Sequence, residues 1–406
     1  MGQIKAAAMN FKTPFYVIHK NELDDNYKKL TSALEKHWNN YIIGYSYKTN
    51  ALPWIIKHFD SLGCYAETVS EDEYELAKLV GVTKNKIIYN GPIKTKESFL
   101  EAVQNECIVN IDSQREIDWL DEVKEEKKSI GIRINFDIEK MCPGQSQCPN
   151  EGGRFGFCYE NGELEKVIKR IKEKKVNISG IHLHTSSKTR SLDIYRAIAN
   201  VACKVKEEFS LDLDYVDIGG GFFGGLSTKP QFEEYISIME DILSKSFDKK
   251  KTKLIIEPGM AVVGAPISYV TSVIDVKDTE FNRFVVTDGT RTSIDPLMTK
   301  SSYFYSLIID GERIVHPKQI ISGYTCMEHD RLFVGNNMPT LCIGDKIVYD
   351  KVGAYTMCLT PLFIKYFPDV YLENNGEYQL VRKAWKPEQY VMLSLIHISE
   401  PTRHLR

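Results

Sequence analysis

The chain has 406 residues, 43% hydrophobic and 26% charged, with 52 basic and 55 acidic side chains and a net charge of -3. That is apolar material enough for a large core or two domains, and the balanced charge excludes a strongly electropositive surface for nucleic acid or an anionic membrane. No apolar run reaches 18 residues, and residues 1–12 lack the apolar core of a secretory signal, so neither a membrane span nor export is expected.

Residues 15–18 (FYVI) read as an early strand, and the amphipathic run 21–37 as a helix. From about residue 40 to 260, short β-branched runs alternate with amphipathic ones. Strands are expected at 41–49, 63–70, 86–92, 108–113, 129–136, 178–185, 215–221 and 254–259. Between them EDEYELAKLVG, TKESFLEAVQ, GELEKVIKRIKEK and SLDIYRAIANVACKVKEEF repeat apolar residues at spacings of three and four. Strand–helix alternation predicts parallel pairing with helical crossovers. Eight such units favour a closed (β/α)8 TIM-type barrel over residues 20–261, although strand number alone is also compatible with an open doubly wound sheet. Beyond residue 262, ISYVTSVIDVK, RFVVTDG, ERIVHPKQIISG and DKIVYDKVGAYT are β-rich and broken by Gly, Pro, Asn and Asp. Residues 1–19 and 262–392 are expected to form an antiparallel β domain, with 15–18 as a candidate strand of it. The string LSLIHISEPTRHLR (393–406) fits nothing before it and resembles adapter read-through; it is set aside, and His397 and His404 with it. The nine cysteines include no Cys-x-x-Cys, and Cys142 and Cys148 in CPGQSQCP lack the rest of a zinc pattern, so reduced thiols in a cytoplasmic protein are expected.

In such a barrel the chemistry sits at the C-terminal ends of the strands. The residues there are Lys48, Glu67, Asn90, Asp112, Arg133, Asn135, His182, His184, Asp217, Gly219–Gly221 and Glu257 with Gly259. A lysine closing an apolar strand can form a Schiff base with an aldehyde, although most lysines merely cover apolar neighbours. The glycines of VDIGGGF allow close backbone approach to a phosphate, or simply a tight turn; the dinucleotide fingerprint is absent. Glu257, before Pro258 and Gly259, can hold a protonated pyridine nitrogen or pair with an arginine. His182 and His184 alternate, so both face one way, as metal ligands or with one imidazole stacked on a cofactor ring. A metal site would need further ligands at other strand ends, and none is expected.

Together the motifs resemble the fold-type III pyridoxal-phosphate decarboxylases, which include diaminopimelate, ornithine, arginine and carboxynorspermidine decarboxylases. The ordered set runs from about residue 13 to 363: YSYKTN, the Ser70/Glu73 pair, NIDS, RIN, RFG, HLHTSS, DIGGGF, EPG, TCMEHD and GAY. The resemblance implies pyridoxal 5'-phosphate as cofactor and Lys48 as the lysine that carries it. It implies His184 stacked on the ring, and Ser187, Gly219, Gly220, Gly221, Gly259 and Tyr355 around the phosphate. Glu257 would meet the pyridine nitrogen and Arg133 would lie near the ring, with Glu67 standing where the family usually has Asp. Cys326 matches the cysteine that enters from a partner subunit and returns a proton, which implies a homodimer with shared sites. Neither nucleic acid nor membrane is implied as a partner.

The implied reaction is loss of the α-carboxylate from a diamino or basic amino acid, similar to that of diaminopimelate decarboxylases. Met260, Asp295 and Met327 depart from the groups with which those enzymes hold the distal end of their substrate. Asp295, Asp330 and Glu328 would suit a distal ammonium, so an ornithine- or lysine-type substrate is an alternative. An alanine-racemase-like isomerase is another; it would want a tyrosine opposite Lys48, where the match places Cys326.

Overall fold

In the helix Glu163–Glu173, Leu164, Val167, Ile168 and Ile171 recur three and four apart, and all four are buried. Each contributes up to about 1.5–3 kcal/mol by leaving water. The helix Leu192–Glu208 buries Ile194, Ile198, Ala202 and Val205 by the same rule. Such one-sided helices need a sheet to lie against, and the computed structural model, which describes residues 2–124 and 129–392, supplies it. The tail set aside above lies outside the described residues.

The chain divides into two units. Of the described residues, one comprises Glu22–Ala265 with Gly353–Cys358, and the other residues 2–21, Pro266–Val352 and residues 359–392. Strands are numbered along the chain from β1 (Phe15–His19), which belongs to the second unit.

The first unit contains β2 (Tyr41–Ser46), β3 (Tyr65–Ser70), β4 (Ile87–Ile93), β5 (Ile108–Ile111), β6 (Ser129–Asn135), the short β7 (Phe157–Cys158), β8 (Asn177–His182), β9 (Tyr215–Asp217) and β10 (Lys253–Ile256). All pair in parallel, in the order β5-β4-β3-β2-β10-β9-β8-β6, and β5 pairs with β6 to close the ring. The sheet is therefore a closed eight-stranded barrel, not an open one, and β7 lies alongside β6. Helices occupy the crossovers, among them Pro53–Ser61, Glu71–Leu79, Lys96–Gln104 and Phe232–Leu243.

Inward-facing positions follow the period of two. Ile42, Ile88, Tyr215 and Ile255 pack into one cluster inside the ring, with Tyr65 and Ile108 against it. Two residues further along the same strands stand Glu67, Asn90, Asn110, Asp217 and Glu257, all buried. An apolar layer thus carries a polar one nearer the C-terminal ends of the strands. Tyr215 crosses the interior to do this. A Cβ at Gly180 would lie 2.1 Å from its ring, and a Cβ at Gly131 would lie 2.0 Å from its hydroxyl. These two glycines are paired across β6 and β8.

The second unit holds β11 (Ile267–Asp278), β12 (Arg283–Thr287), β13 (Phe304–Ile308), β14 (Val315–Ser322), β15 (Arg331–Pro339), β16 (Lys346–Asp350), β17 (Asp369–Asn374) and β18 (Glu377–Arg382). Its main order is β15-β14-β12-β11-β1-β17-β18, with β16 pairing β11 and β13. The early strand does join this sheet. The expectation of an antiparallel sheet needs correction: β1 runs parallel to β17, and β12 parallel to β14. Neither pair is linked by a hairpin, and only a tight hairpin forces antiparallel order.

Gly180→Ala is expected to lower stability by about 1–3 kcal/mol by overpacking against Tyr215. A urea titration reads this as a lower midpoint; an unchanged midpoint would show that Tyr215 does not lie over the glycine pair.

Candidate active site

The polar layer is one continuous hydrogen-bond chain. Tyr215 donates its hydroxyl to Asn110 Oδ1 at 2.7 Å. Asn110 Nδ2 donates to Asn90 Oδ1 at 2.9 Å. Asn90 Nδ2 then donates to two carboxylates, Glu67 Oε1 at 3.0 Å and Glu257 Oε1 at 2.5 Å. The chain has one direction, because an amide whose NH2 faces carboxylates must turn its oxygen the other way.

Lys48 lies in the 3-10 turn Tyr47–Thr49 that follows β2, not on the strand itself. Its Nζ donates to Glu67 Oε2 at 2.8 Å, and Ser46 Oγ donates to the same oxygen at 2.6 Å. Glu67 is mid-strand in β3 and fully buried, while the lysine is partly exposed toward the mouth. Burial works against the Lys48 charge, but the Glu67 and Glu257 carboxylates outweigh it and raise the ammonium above its ordinary range. The turn is pinned from the segment Gly353–Cys358. Asn50 Nδ2 donates to Gly353 O at 2.9 Å, and Tyr355 N donates to Thr49 O at 2.8 Å. Cys358 Sγ approaches Lys48 O at 3.3 Å.

Glu257 stands one residue past β10, with its second oxygen 3.4 Å from His182 Nε2. Asp217 is beside them; the three groups offer donor atoms all within 4.8 Å of one another. Burial and the adjacent Glu257 charge push the Asp217 carboxyl well above its ordinary range. Burial also opposes the Glu257 charge, but His182 and Lys48 hold that carboxyl below its ordinary range. Of the pair, Asp217 carries the proton and Glu257 the charge. Asp217 Oδ1 accepts from Gly219 N at 2.9 Å, which ties the start of the glycine run to the polar layer.

His184 lies beyond the end of β8, yet its ring stays near-parallel to that of His182, 6.4 Å away. Burial, with the Arg133 and Lys48 charges, lowers its imidazole to about 3, so it is neutral. Gly220 N donates to its Nδ1 at 3.2 Å, which assigns the proton to Nε2. A Cβ at Gly219 would lie 2.6 Å from this histidine, and φ there is +72°, so only glycine fits. Arg133 is engaged by Asp112 Oδ2 at 3.0 Å and reaches His184 O at 3.4 Å. Ser187 Oγ accepts from Arg190 N at 3.0 Å, which leaves its own O–H to donate elsewhere.

Lys48, Glu67, Arg133, His184, Ser187, Gly219, Gly220, Gly221, Glu257, Gly259 and Tyr355 all belong to the barrel unit. Cys326, Asp295, Asp330 and Glu328 belong to the other. Cys326 is exposed. Asp330, expected to face a distal ammonium, is instead buried under its own loop: it accepts from Thr290 Oγ1, Arg291 N, Thr325 N and Thr325 Oγ1. Asp295 is likewise filled, by Arg291, Thr299 N, Lys300 N and Tyr303 OH. Both organise turns with the lone pairs that a substrate would need. Glu328 is fully exposed, 3.9 Å from Arg331.

Residue reading alone passed over the part played by Asn90, Asn110, Tyr215 and Asp217. The available signal was a polar residue two positions past an apolar one on several neighbouring strands.

The residues present fit pyridoxal phosphate. A lysine amine at the mouth, a neutral flat imidazole, an ionised buried carboxylate and a glycine cradle match its aldehyde, ring, pyridine nitrogen and phosphate in chemistry. The family described as "Pyridoxal-dependent decarboxylase, pyridoxal binding domain" matches residues 22–264. The chain is 28% identical over 404 residues to a diaminopimelate decarboxylase of Aquifex aeolicus, covering 97% of this chain and 94% of that one. It is 27% identical over 369 residues to a diaminopimelate decarboxylase of Methanocaldococcus jannaschii, covering 86% and 83%. The solved structure of diaminopimelate decarboxylase from M. jannaschii in complex with L-lysine is similar with a TM-score of 0.84 at 25% identity, over 97% of this chain and 94% of that one.

The proton on Asp217 has a measurable consequence. The folded chain keeps it, whereas the unfolded chain releases it above the ordinary value of 3.8. Stability from this group is therefore present below that pH and declines as pH rises. Asp217→Asn, which imitates the protonated acid, is expected to gain in melting temperature relative to the parent between about pH 5 and about pH 8. A difference that does not change with pH would show that Asp217 is ionised.

Proposed function

The chain belongs to the pyridoxal-dependent decarboxylases, and from that premise we propose that it removes the α-carboxylate of a diamino or basic amino acid. The observation that carries this reading is Lys48 Nζ, 2.8 Å from a buried carboxylate on one side of Asn90, with Glu257 ionised on the other. The relatives named diaminopimelate decarboxylase support the substrate class.

Pyridoxal phosphate, when bound, supplies a cationic ring that takes up the electron pair left by the departing carboxylate. The remaining work belongs to this chain. Glu67 Oε2 accepts a proton from Lys48 Nζ, which must lose one to act as a nucleophile. Glu257 places a fixed negative charge at the centre of the barrel, where a protonated pyridine nitrogen belongs, and Asn90 holds it there. His184 presents a neutral face at the mouth and adds no competing positive charge. Gly219, Gly220, Gly221, Gly259, Ser187 and Tyr355 form the phosphate cradle, and Arg133 flanks the ring.

We infer a homodimer with shared sites, in which the partner subunit's Cys326 returns a proton to the product. Exposure of Cys326 on the single chain supports this. We infer a cytoplasmic setting as well, supported by nine cysteines scattered along the sequence with no Cys-x-x-Cys among them. With Asp295 and Asp330 occupied by their own loops, Glu328 is the acidic group of the three with capacity left for a distal ammonium.

The test is a screen of the purified protein with diaminopimelate, lysine, ornithine and arginine, following released carbon dioxide and the amine. Release from one of them is expected. Inverted amino acid without carbon dioxide would replace this reading with an isomerase. Lys48→Ala is expected to abolish turnover and the visible absorbance of lysine-bound pyridoxal; an unchanged spectrum would remove Lys48 from its role. Glu257→Gln is expected to raise the barrier by about 2–4 kcal/mol, judged from the loss of comparable electrostatic groups. A near-parental kcat would show that the pyridine nitrogen is held otherwise.

A further inference from the structure

The mouth of the barrel contains an arginine that the reaction described above does not use. Arg190 lies in the loop after β8 at φ +52°, a left-handed conformation that is uncommon for a side chain of this size. Its place is fixed from two sides. Its N–H donates to Ser187 Oγ at 3.0 Å, and its carbonyl accepts from Tyr235 OH at 2.7 Å. The guanidinium carbon lies 5.3 Å from the centre of the Phe223 ring, two residues past Gly221. Its Nη1 points at Met260 Sδ, 2.8 Å away, one residue past Gly259. The side chain thus spans the ends of the two glycine segments of the cradle, and the same turn sets Ser187.

The charge has no matching anion. A guanidinium carries five donors and a thioether is a weak acceptor, so this partner leaves most of the donors of a half-buried side chain open to water or to an incoming anion. Among the described residues, none of the ion pairs involves Arg190. A second cation, Lys229 Nζ, lies 5.3 Å from the same Phe223 ring, also without a carboxylate partner among the described residues. Lys229 is exposed, so water screens part of its charge, but two cations about one ring still make this edge of the mouth attractive to an anion. By contrast, the Arg133 charge is paired, through Nη1, with the Asp112 carboxylate.

We propose that Arg190 is a phosphate-binding residue, whose guanidinium closes the open side of the glycine cradle against the phosphate of pyridoxal phosphate. Met260 is then a spacer: it fills the position after Gly259 with an apolar side chain and leaves room for a cation arriving from a different loop. This rests on the pyridoxal-phosphate reading above, and adds to it a residue that none of the motifs contains.

The experiment compares parent, Arg190→Gln and Arg190→Lys holoenzymes. Each is dialysed, and the pyridoxal phosphate retained is measured by visible absorbance. Each is then titrated with pyridoxal phosphate and with pyridoxal, which lacks the phosphate. Arg190→Gln keeps the stem over Phe223 and is expected to weaken pyridoxal phosphate by about 10- to 100-fold, as for loss of one charge-assisted hydrogen bond. Pyridoxal affinity is expected to stay at the parental value, so the preference for the phosphorylated form narrows. Arg190→Lys, which retains the charge without the fork, is expected to fall between, and serves alone if the glutamine variant does not fold. Adding Met260→Arg to Arg190→Gln is expected to restore part of the preference. A parental preference in Arg190→Gln overturns the proposal, as does an unchanged preference accompanied by a raised KM, which would turn the guanidinium toward the substrate. A parent that binds neither form ends the pyridoxal reading itself, an outcome distinct from these.

Discussion

Two buried carboxylates share one amide, and the rest of the barrel is arranged around the cost of that. Glu67 and Glu257 are both shielded from water, and Asn90 Nδ2 donates to each. A carboxylate without partners in such a place would take up a proton instead. Their neighbours differ: Glu67 accepts from Lys48 and Ser46, and Glu257 is held charged by His182 and Lys48. The proton that burial demands goes to Asp217. The result is a fixed separation of charge across a few ångströms, with a lysine at one edge and an anion in the centre. The amides and carboxylates are already aligned, so the Glu257 charge is presented without reorganisation.

The barrel makes this possible through its period of two. A polar residue two positions beyond an apolar one, repeated on neighbouring strands, stacks a polar layer directly on an apolar layer. Tyr215 joins them: its ring lies in the lower layer over Gly131 and Gly180, and its hydroxyl begins the hydrogen-bond chain of the upper one. Fold and site therefore share atoms. A change that shifts the Tyr215 ring also shifts the amides that hold the carboxylates.

Much of this was legible in the sequence, for particular reasons. Lys48, Glu257 and the glycine run stand out together, because polar groups gathered at the ends of apolar strands suit a site better than packing, and eight alternating units favour the closed barrel. What escaped depends on geometry that spacing does not encode. Asp295 and Asp330 look available as acids, but backbone N–H groups of their own turns fill them. Lys48 and His184 read as strand residues, yet both sit just past a strand end. The parallel pairs of the second sheet escaped because β1 arrives from the far end of the chain, beyond the reach of any local hairpin signal.

Arg190 was illegible for a further reason: it belongs to neither period. It lies in a loop at positive φ, and its meaning comes only from what two other loops bring near it. The contrast with the barrel interior has a physical basis. Groups inside the ring are held by strands and by each other, so moving one disturbs its neighbours. A charge at the mouth acts through space on whatever occupies the cradle, and the field there depends on where the cation ends, not on which loop carries it. Met260 and the Arg190 side chain meet at the edge of the cradle. The loop after β8 brings a charge to within 2.8 Å of the methionine that follows Gly259.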